Sequence, residues 1–265
     1  MWNYQEGLRF VRGGDLSMIF ATDLDNTMIF SHRLIHGAES QVQCVEYYNG
    51  KPLTYMTHTS IAKLNSITQK INVIPITTRS IAQFHRIEIF SKLPIVVVDN
   101  GGTIFQKGVA HKDWENHISG ILKNYNFDDV LKIFSTLPGL TLSPRLVDGK
   151  FVFAKSDETD LCKQILQSKL NTKIWQISFQ GKKIYAIPTD ISKGNALKFI
   201  NEQLLNNNDP VISAGDSNLD LSMLEYSDYS IVPCDCSLSS PKFIRLGNGI
   251  QTSDEILDFV TTLSK

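Results

Sequence analysis

The chain has 265 residues, of which 42% are hydrophobic, so it can bury the core of one large domain and of a smaller one. The formal net charge of -1 argues against nucleic acid or an anionic membrane surface as the main partner, which leaves small molecules as the expected ligands. No apolar run approaches the roughly 20 residues of a membrane span, and four scattered cysteines fit neither a disulfide framework nor a zinc site, so we expect reduced thiols in a cytoplasmic protein without a membrane anchor.

Residues 1–17 carry charges throughout and lack the apolar stretch of a signal peptide. Two interpretations stay open: an ordered N-terminal extension, or an upstream leader before a start at Met18. We favour a peripheral role for this extension.

Strands and helices alternate from Met18 onward. Residues 18–22 form a short apolar run that ends in acid, which is typical of a buried parallel strand whose carboxyl end faces a site. Strands are predicted at residues 73–77 and 95–99, and helices at residues 60–70 and 81–90. This alternation predicts an α/β fold with a doubly wound parallel sheet. Within residues 31–57, Asn49-Gly50 lies between β-prone runs and predicts a hairpin, which we interpret as a flap over the site.

The pattern changes between residues 106 and 189. Helices are predicted at residues 114–123, 128–136 and 158–170, and strands at 140–147, 150–154, 174–179 and 182–187. Helix followed by two antiparallel strands, twice over, predicts an inserted α+β cap. Alternation then returns, with helices at 193–205, 219–224 and 254–263 and strands at 211–214 and 230–232. We therefore predict a discontinuous core of residues 18–105 and 190–265, with a cap of residues 106–189.

Four segments carry the chemistry, and each lies where a predicted strand ends or a helix begins. They are Asp23-Leu24-Asp25-Asn26-Thr27, Thr77-Thr78-Arg79, Lys193, and Gly215-Asp216-Ser217-Asn218-Leu219-Asp220. Together they form a charged site with more acid than base. A divalent cation would balance this site, and a phosphate would fit beside the lysine.

This order of segments resembles the haloacid dehalogenase superfamily of phosphohydrolases over residues 18–264. The DxDxT segment alone also occurs in receiver domains and in unrelated metal sites, but the full order is specific. The long insertion is similar to that of the Cof-type and sucrose-phosphate phosphatase branch. The resemblance implies a Rossmann-like core with a cap, and Mg²⁺-dependent hydrolysis of a small phosphate monoester, first of all a sugar phosphate, through an aspartyl-phosphate.

The resemblance also implies roles for individual residues. Asp23 would be the nucleophile and Asp25 the general acid and base, while Thr77 and Lys193 would bind the phosphoryl group. The Mg²⁺ ligands would be Asp23, the main-chain carbonyl of Asp25, Asp216, and Asp220 either directly or through water. Further substrate contacts are predicted for Thr78, Arg79 and Asn100. Each residue alone has a simpler interpretation, such as a strand end, a turn or a solvated charge, and the four segments together favour the functional one. For Asn100 the alternative of an ordinary hairpin turn stays open.

Two positions depart from the branch pattern. Thr78 stands where relatives usually have Gly, and Leu219 stands where they usually have Asn. Thr78 still offers a backbone N–H, but Leu219 cannot replace an amide. We expect a weaker or rearranged phosphate contact.

Two rival functions remain open. A sugar phosphomutase of the same superfamily would use the same residues, and a phosphate-binding protein with little turnover has Leu219 as its only support. Specificity is expected to lie in the cap. Cations on or beside the predicted cap strands, each of which alone is more simply solvated, could bind hydroxyls or a second anionic group: Arg145, Lys155, Lys182 and Lys183.

Overall fold

The computed structural model describes residues 18–205 and 209–264, so the predicted N-terminal extension lies outside the described residues. The strands are β1 (Ile19–Thr22), β2 (Phe30–Ser31), β3 (Val42–Tyr48), β4 (Lys51–Thr57), β5 (Asn72–Pro75), β6 (Ile95–Val98), β7 (Thr103–Gln106), β8 (Val109–Ala110), β9 (Leu140–Val147), β10 (Phe151–Ser156), β11 (Trp175–Gln180), β12 (Lys183–Pro188), β13 (Val211–Ala214), β14 (Tyr229–Val232) and β15 (Phe243–Arg245). The helices are α1 (His58–Ile67), α2 (Ile81–Phe84), α3 (Glu88–Ser91), α4 (Lys112–Leu122), α5 (Phe127–Ser135), α6 (Thr159–Lys169), α7 (Lys193–Phe199), α8 (Leu221–Tyr226) and α9 (Thr252–Leu263).

The central sheet is parallel, with the order β15-β14-β13-β1-β5. A parallel bridge between Ile76 and Val97 brings β6 alongside β5. The apolar residues of β1 serve both faces of the sheet: Ile19 packs with residues of α7 and α8, and Phe20 packs with residues of α1 and α9. A strand buried on both faces reads as a continuous apolar run, which is why the sequence predicts it well. The predicted Rossmann-like core is confirmed.

The predicted hairpin is β3 and β4, which pair antiparallel and carry β2 on the outer edge of β4. Asn49 and Gly50 form its turn with φ values of 50° and 73°. Asn and Gly tolerate this left-handed backbone, which matches the twist of the two strands.

The insertion forms an antiparallel sheet in the order β11-β12-β10-β9. One face of this sheet packs on α5 and α6 through Val152, Ala154 and Ile184. The opposite face contributes Phe153 and Tyr185 to the core cluster beneath it. We call this second side the cap face, because it is turned toward the core. The predicted α+β cap is confirmed as part of the fold, while the numbered boundaries between cap and core stay predictions.

Several elements differ from the sequence-based expectation. The helix predicted over residues 81–90 is two short helices, α2 and α3, because Ile87 leaves the helical region at φ −106° and ψ 80°. The helix predicted over residues 193–205 is α7 followed by a π-helical turn, Ile200–Leu204. The short strands β2, β7, β8 and β15 were not predicted. No helix within the described ranges combines the length and the apolar character that crossing a membrane requires.

Candidate active site

Three of the predicted segments meet at the carboxyl edge of the parallel sheet. Thr22 at the end of β1 pairs with Ala214 of β13 on one side and with Pro75 of β5 on the other. Asp23 follows β1 directly, and its backbone N–H donates to the Ala214 carbonyl at 2.9 Å. Because parallel strands end at the same edge, residues far apart in sequence become neighbours here.

Lys193, the remaining segment, lies at the same edge of the sheet. It begins α7, where the Ser192 side chain caps the helix by accepting from the Asn195 N–H at 3.1 Å. The Lys193 Nζ lies 2.5 Å from Asp23 Oδ1 and 2.5 Å from Asp220 Oδ1, and only 1% of the residue is exposed. Burial opposes its charge, but the ion pairs with Asp220 and Asp23 prevail and raise the pKa of Lys193. The ammonium is therefore charged and buried beside two carboxylates.

The turn after β6 packs against Ile191 and Ser192, the two residues that precede Lys193. Gly101 has φ +98°, and a Cβ on it would lie 2.3 Å from the Ser192 carbonyl oxygen, so only glycine fits. The side-chain amide of Asn100 donates to the Ile191 carbonyl at 3.3 Å. Asn100 is fully buried and its Oδ1 has no hydrogen-bond partner within the described part of the chain. The turn fixes the start of α7, and the predicted substrate contact of Asn100 stays a prediction.

The acidic loop after β13 folds tightly around Asp220. A Cβ on Gly215 would lie 2.5 Å from the Asp220 Cβ, which requires glycine at this position. Asp220 Oδ2 accepts from the Asp216 N–H, the Ser217 N–H and the Ser217 hydroxyl at 3.2, 2.9 and 2.8 Å. Asn26, which adopts a left-handed φ of 58°, donates its amide to Asp216 Oδ2 at 3.2 Å.

Asp23, Asp216 and Asp220 form an acidic cluster whose ligand oxygens all lie within 4.8 Å of one another. Burial and the Asp220 charge raise the pKa of Asp216 to about 7. Burial also raises the pKa of Asp23 well above its ordinary value, although Lys193 opposes that shift. A divalent cation relieves this kind of crowding, and hard carboxylate oxygens suit Mg²⁺.

The three carboxylates fit a Mg²⁺ site, but they are not equally available to the ion. Asp23 and Asp216 lie at the strand ends, and each is free of the dense contacts that surround Asp220. Both oxygens of Asp220 already bind protein groups, since Lys193 contacts Oδ1 and three donors contact Oδ2. Of the two ways in which Asp220 was predicted to serve the metal, contact through water is the one that this packing favours.

Asp25 forms a bidentate ion pair with an arginine. Arg79 donates from Nε to Asp25 Oδ2 and from Nη2 to Asp25 Oδ1, both at 2.8 Å. Burial favours a neutral Asp25, yet this bidentate pair outweighs burial and holds the pKa of Asp25 below its ordinary value. Arg79, which was predicted to contact substrate, therefore has its guanidinium on the predicted acid and base.

The flap closes the other side of Arg79. Glu46 of β3 lies 2.9 Å from Arg79 Nη1 and 3.2 Å from Arg86 Nη2, and its side chain is only 1% exposed. Thr54 of β4 donates to the other Glu46 oxygen at 3.1 Å. The hairpin is thus connected to the predicted active site through Glu46, Arg79 and Asp25.

Thr77 and Thr78 lie between these groups. Thr77 is fully buried, its N–H donates to the Val97 carbonyl at 3.0 Å, and its hydroxyl accepts from the Arg79 N–H at 3.2 Å. Thr78 is half-buried and faces Tyr185 of the cap. Both threonines stand where a phosphoryl group at Asp23 would be near, and their contacts to it stay predictions.

Leu219 lies inside the protein at 2% exposure, packed in the same cluster as Met223 and Leu197, while Asn218 is exposed. The position that relatives fill with an amide therefore supplies packing under the acidic loop. The predicted change in phosphate contact is not tested by this packing.

The cap face covers the site from above. Tyr185 of β12 is buried on this face, and burial, followed by the charges of Asp25 and Asp23, raises the pKa of its phenol. Lys183, two residues earlier on β12, is close enough to help lower the pKa of Asp25.

The tip of the β9–β10 hairpin docks on the core. Asp148 accepts from the Ile81 N–H at 2.9 Å, and Lys150 lies 3.3 Å from the fully buried Asp99. These contacts hold the cap against the start of α2 and the turn after β6.

Glu46, Tyr185 and Asp99 were not identified from the sequence. Glu46 is the only charged residue in β3, which is a weak signal for an inward-facing acid. Tyr185 lies within residues 184–188, a run that is apolar on both faces, so its pattern does not reveal which face meets the site.

Comparisons with known proteins bear on the family and on the fold. The family model described as haloacid dehalogenase-like hydrolase matches residues 66–232. A comparison with curated proteins gave no significant match.

Among solved structures, the sucrose-phosphatase of Synechocystis, in complex with sucrose and phosphate, is 15% identical with a TM-score of 0.65, covering 93% of this chain and 98% of that one. The C-terminal domain of the C. albicans trehalose-6-phosphate phosphatase is 13% identical with a TM-score of 0.61, covering 94% and 93%. A phosphatase of the same enzyme superfamily from Bacteroides thetaiotaomicron is 14% identical with a TM-score of 0.57, covering 97% and 98%. At these identities the likeness concerns the fold, and it supports the predicted core and cap.

Proposed function

This chain belongs to the haloacid dehalogenase-like hydrolases, and we propose that it uses Asp23 and Mg²⁺ to hydrolyse a small phosphate monoester, with a sugar phosphate as the first expectation. Hydrolysis of phosphoric monoesters is the activity that the family match and the fold support. The observation that carries the proposal is the buried Lys193 ammonium, held 2.5 Å from both Asp23 and Asp220 at the carboxyl edge of the sheet.

The reaction proceeds in two displacements. A carboxylate oxygen of Asp23 attacks phosphorus, the bond from phosphorus to the ester oxygen breaks, and Asp25 gives a proton to the departing alcohol. Asp25 then takes a proton from water as that water attacks the phosphorus of the aspartyl-phosphate. The acyl-phosphate bond breaks, which releases inorganic phosphate and regenerates the Asp23 carboxylate.

The surrounding residues bind and orient. Lys193 offers its ammonium to the phosphoryl oxygens, and Thr77 adds its hydroxyl. Arg79 and Glu46 hold Asp25 in place from the side of the flap. Asp23 and Asp216 would hold Mg²⁺, with Asp220 acting through water and the main-chain carbonyl of Asp25 as the further predicted ligand. When bound, the ion supplies positive charge that offsets the carboxylates and the phosphoryl oxygens.

Sugar phosphates are the expected substrates because the fold neighbours include a sucrose-phosphatase and a trehalose-6-phosphate phosphatase. The cap face above Asp25 is then the surface that meets the sugar, since the core residues reach only the phosphoryl group and the metal.

The experiment is a panel of phosphorylated metabolites, incubated with the purified protein with and without Mg²⁺, in which released phosphate is measured. We expect steady Mg²⁺-dependent release from at least one ester. Isomerisation of a sugar phosphate without release would favour a phosphomutase, and binding without turnover would favour a phosphate-binding protein.

A further inference from the structure

Two lysines of the cap face form no ion pair with a carboxylate of the described residues. Lys155 of β10 and Lys183 of β12 are directly opposite each other in the antiparallel register. Their row across the sheet continues to Leu142 on β9 and to Gln180 on β11, so it contains no acid. Within residues 18–205 and 209–264, neither lysine forms an ion pair with a carboxylate. Like charges that face each other across a strand pair destabilise it unless an anion lies between them.

The register places both lysines on the side that faces the site. Side chains alternate along a strand, so Lys155 shares a face with Phe153, and Lys183 shares a face with Tyr185. Phe153 and Tyr185 belong to the core cluster beneath the cap, with their ring centroids 5.1 Å apart.

Arg145 stands in the neighbouring row of the cap sheet, the one that contains Phe153 and Tyr185. It pairs with Phe153 across β9 and β10, and its guanidinium carbon lies 5.5 Å from the centre of the Phe153 ring. Its charge therefore rests on an aromatic ring beside the two lysines.

Lys182 shows what a solvated cap lysine looks like in this protein. It points to the other side of the hairpin, its side chain is 69% exposed, and it pairs with Asp157 at 2.6 Å. Lys155 and Lys183 differ from it on each of these counts, because both are half-buried and neither is paired within the described chain.

The core residues beneath the cap face, which we call the floor of the cleft, already pair their carboxylates with cations. Its carboxylates, Asp23, Asp25, Glu46, Asp216 and Asp220, face the cations Lys193, Arg79 and Arg86 and the proposed divalent ion. Lys183, with Lys155 opposite it on β10, lies two residues before Tyr185 on β12, a distance of about 7 Å by the rise of a strand. That offset suits a group on the substrate other than the phosphoryl group that Asp23 attacks.

We propose that Lys183 and Lys155, with Arg145 beside them, bind a second anionic group of the substrate, so that the natural ester is a phosphorylated sugar acid or a sugar bisphosphate. This inference rests on the proposed function and narrows its substrate class. The shared chemistry is an anion held by two ammonium groups, and it can come from either a carboxylate or a second phosphate.

The test uses two matched pairs of esters with the full chain and Mg²⁺. Glycerol 3-phosphate and 3-phosphoglycerate differ by a carboxylate, and fructose 6-phosphate and fructose 1,6-bisphosphate differ by a phosphate. The wild type should prefer the doubly anionic member of at least one pair, and the preferred pair identifies the anion. Lys183→Met and Lys155→Met should each lower kcat/KM for that member by about tenfold or more, mainly through KM, and change the member with a single anionic group less than about threefold. Lys182→Met is the matched control and should change neither.

Equal losses for both members of a pair would place Lys183 at the transferred phosphoryl group and overturn the proposal. Equal use of both members by the wild type, or an effect of Lys182→Met as large as that of Lys183→Met, would overturn it too. Calorimetric binding of the same four esters separates this inference from the proposed function. If no ester is hydrolysed, weaker binding of the doubly anionic esters to Lys183→Met than to Lys182→Met still supports the anion site, and equal binding contradicts it.

Discussion

The floor of the cleft and the cap face above it differ in whether their charged side chains are paired. On the floor, Lys193 contacts two carboxylates and Arg79 lies between two more. On the cap face, Lys155 and Lys183 stand opposite each other without a carboxylate partner in the described chain. A paired and buried network is suited to a reaction that is the same for every substrate. An unpaired surface is suited to a ligand that the protein itself does not contain.

The largest expected effect comes from the nucleophile. Asp23→Asn nearly preserves volume while removing the attacking charge, so kcat should fall by at least about a hundredfold with the fold intact. Steady-state phosphate release measures the rate, and circular dichroism checks the fold. Asp157→Asn, on the outer side of the cap, is the control and should keep full activity. More than about a hundredth of the wild-type rate in Asp23→Asn would show that the floor works by another route.

Removal of the metal should have the next largest effect. Asp23, Asp216 and Asp220 crowd negative charge within 4.8 Å, and this cluster would repel a phosphate dianion without a cation. Dialysis against a chelator should reduce phosphate release below about a tenth, and added Mg²⁺ should restore it. Undiminished hydrolysis after the ion has been removed would contradict the proposed requirement for Mg²⁺.

The flap contact should matter less, and only for some esters. Glu46→Gln weakens the hold on Arg79 and therefore the placement of Asp25, so kcat for an alkyl phosphate should fall between about threefold and tenfold. With p-nitrophenyl phosphate the leaving group needs no proton, and the rate should change less than about twofold.

The exposed Glu39→Gln serves as the control for Glu46→Gln. An equal loss with both esters would mean that Glu46 supports the fold rather than the proton transfer. Urea unfolding of the variant distinguishes these two explanations, because a purely structural role would appear as lost stability.

A further effect, on stability rather than on activity, is expected at the contact between cap and core. Burial raises the pKa of Asp99 to about 7, although Lys150 opposes the shift. The folded state therefore holds a proton on Asp99 that the unfolded chain releases near its ordinary pKa. Stability should fall as the pH rises from about 4 to about 7, by roughly 1 kcal/mol per pH unit from this group.

Asp99→Asn should remove that part of the pH dependence, as judged by denaturant unfolding of both proteins across this pH range. Identical pH slopes for the two proteins would contradict the raised pKa of Asp99.

The sequence predicts the floor better than the cap face. Asp23, Thr77, Asp216 and Lys193 end strands or begin a helix, and parallel topology brings such positions together regardless of their distance in sequence. The hairpin at Asn49 was equally predictable, because few residues tolerate its backbone.

Contacts that depend on side-chain reach were not predictable. The sequence suggested Arg79 as a substrate contact. Nothing in the sequence shows that the Glu46 side chain faces inward and pairs with Arg79. The cap lysines were found only as a set. Separating Lys182 from Lys183 required the register of β10 and β12, because a shift of one residue exchanges the two faces of a strand.

The most direct test of the central claim is to locate the phosphoryl group on the enzyme. Asp25→Asn should still react with p-nitrophenyl phosphate, whose leaving group needs no proton, but it lacks the base that activates water. Mixing this variant with the ester and Mg²⁺ should release p-nitrophenolate in a burst close to one equivalent, and acid quenching followed by peptide mass mapping should find the phosphoryl group on Asp23. Turnover without a burst or a labelled peptide, or a phosphoryl group on any other residue, would contradict the account.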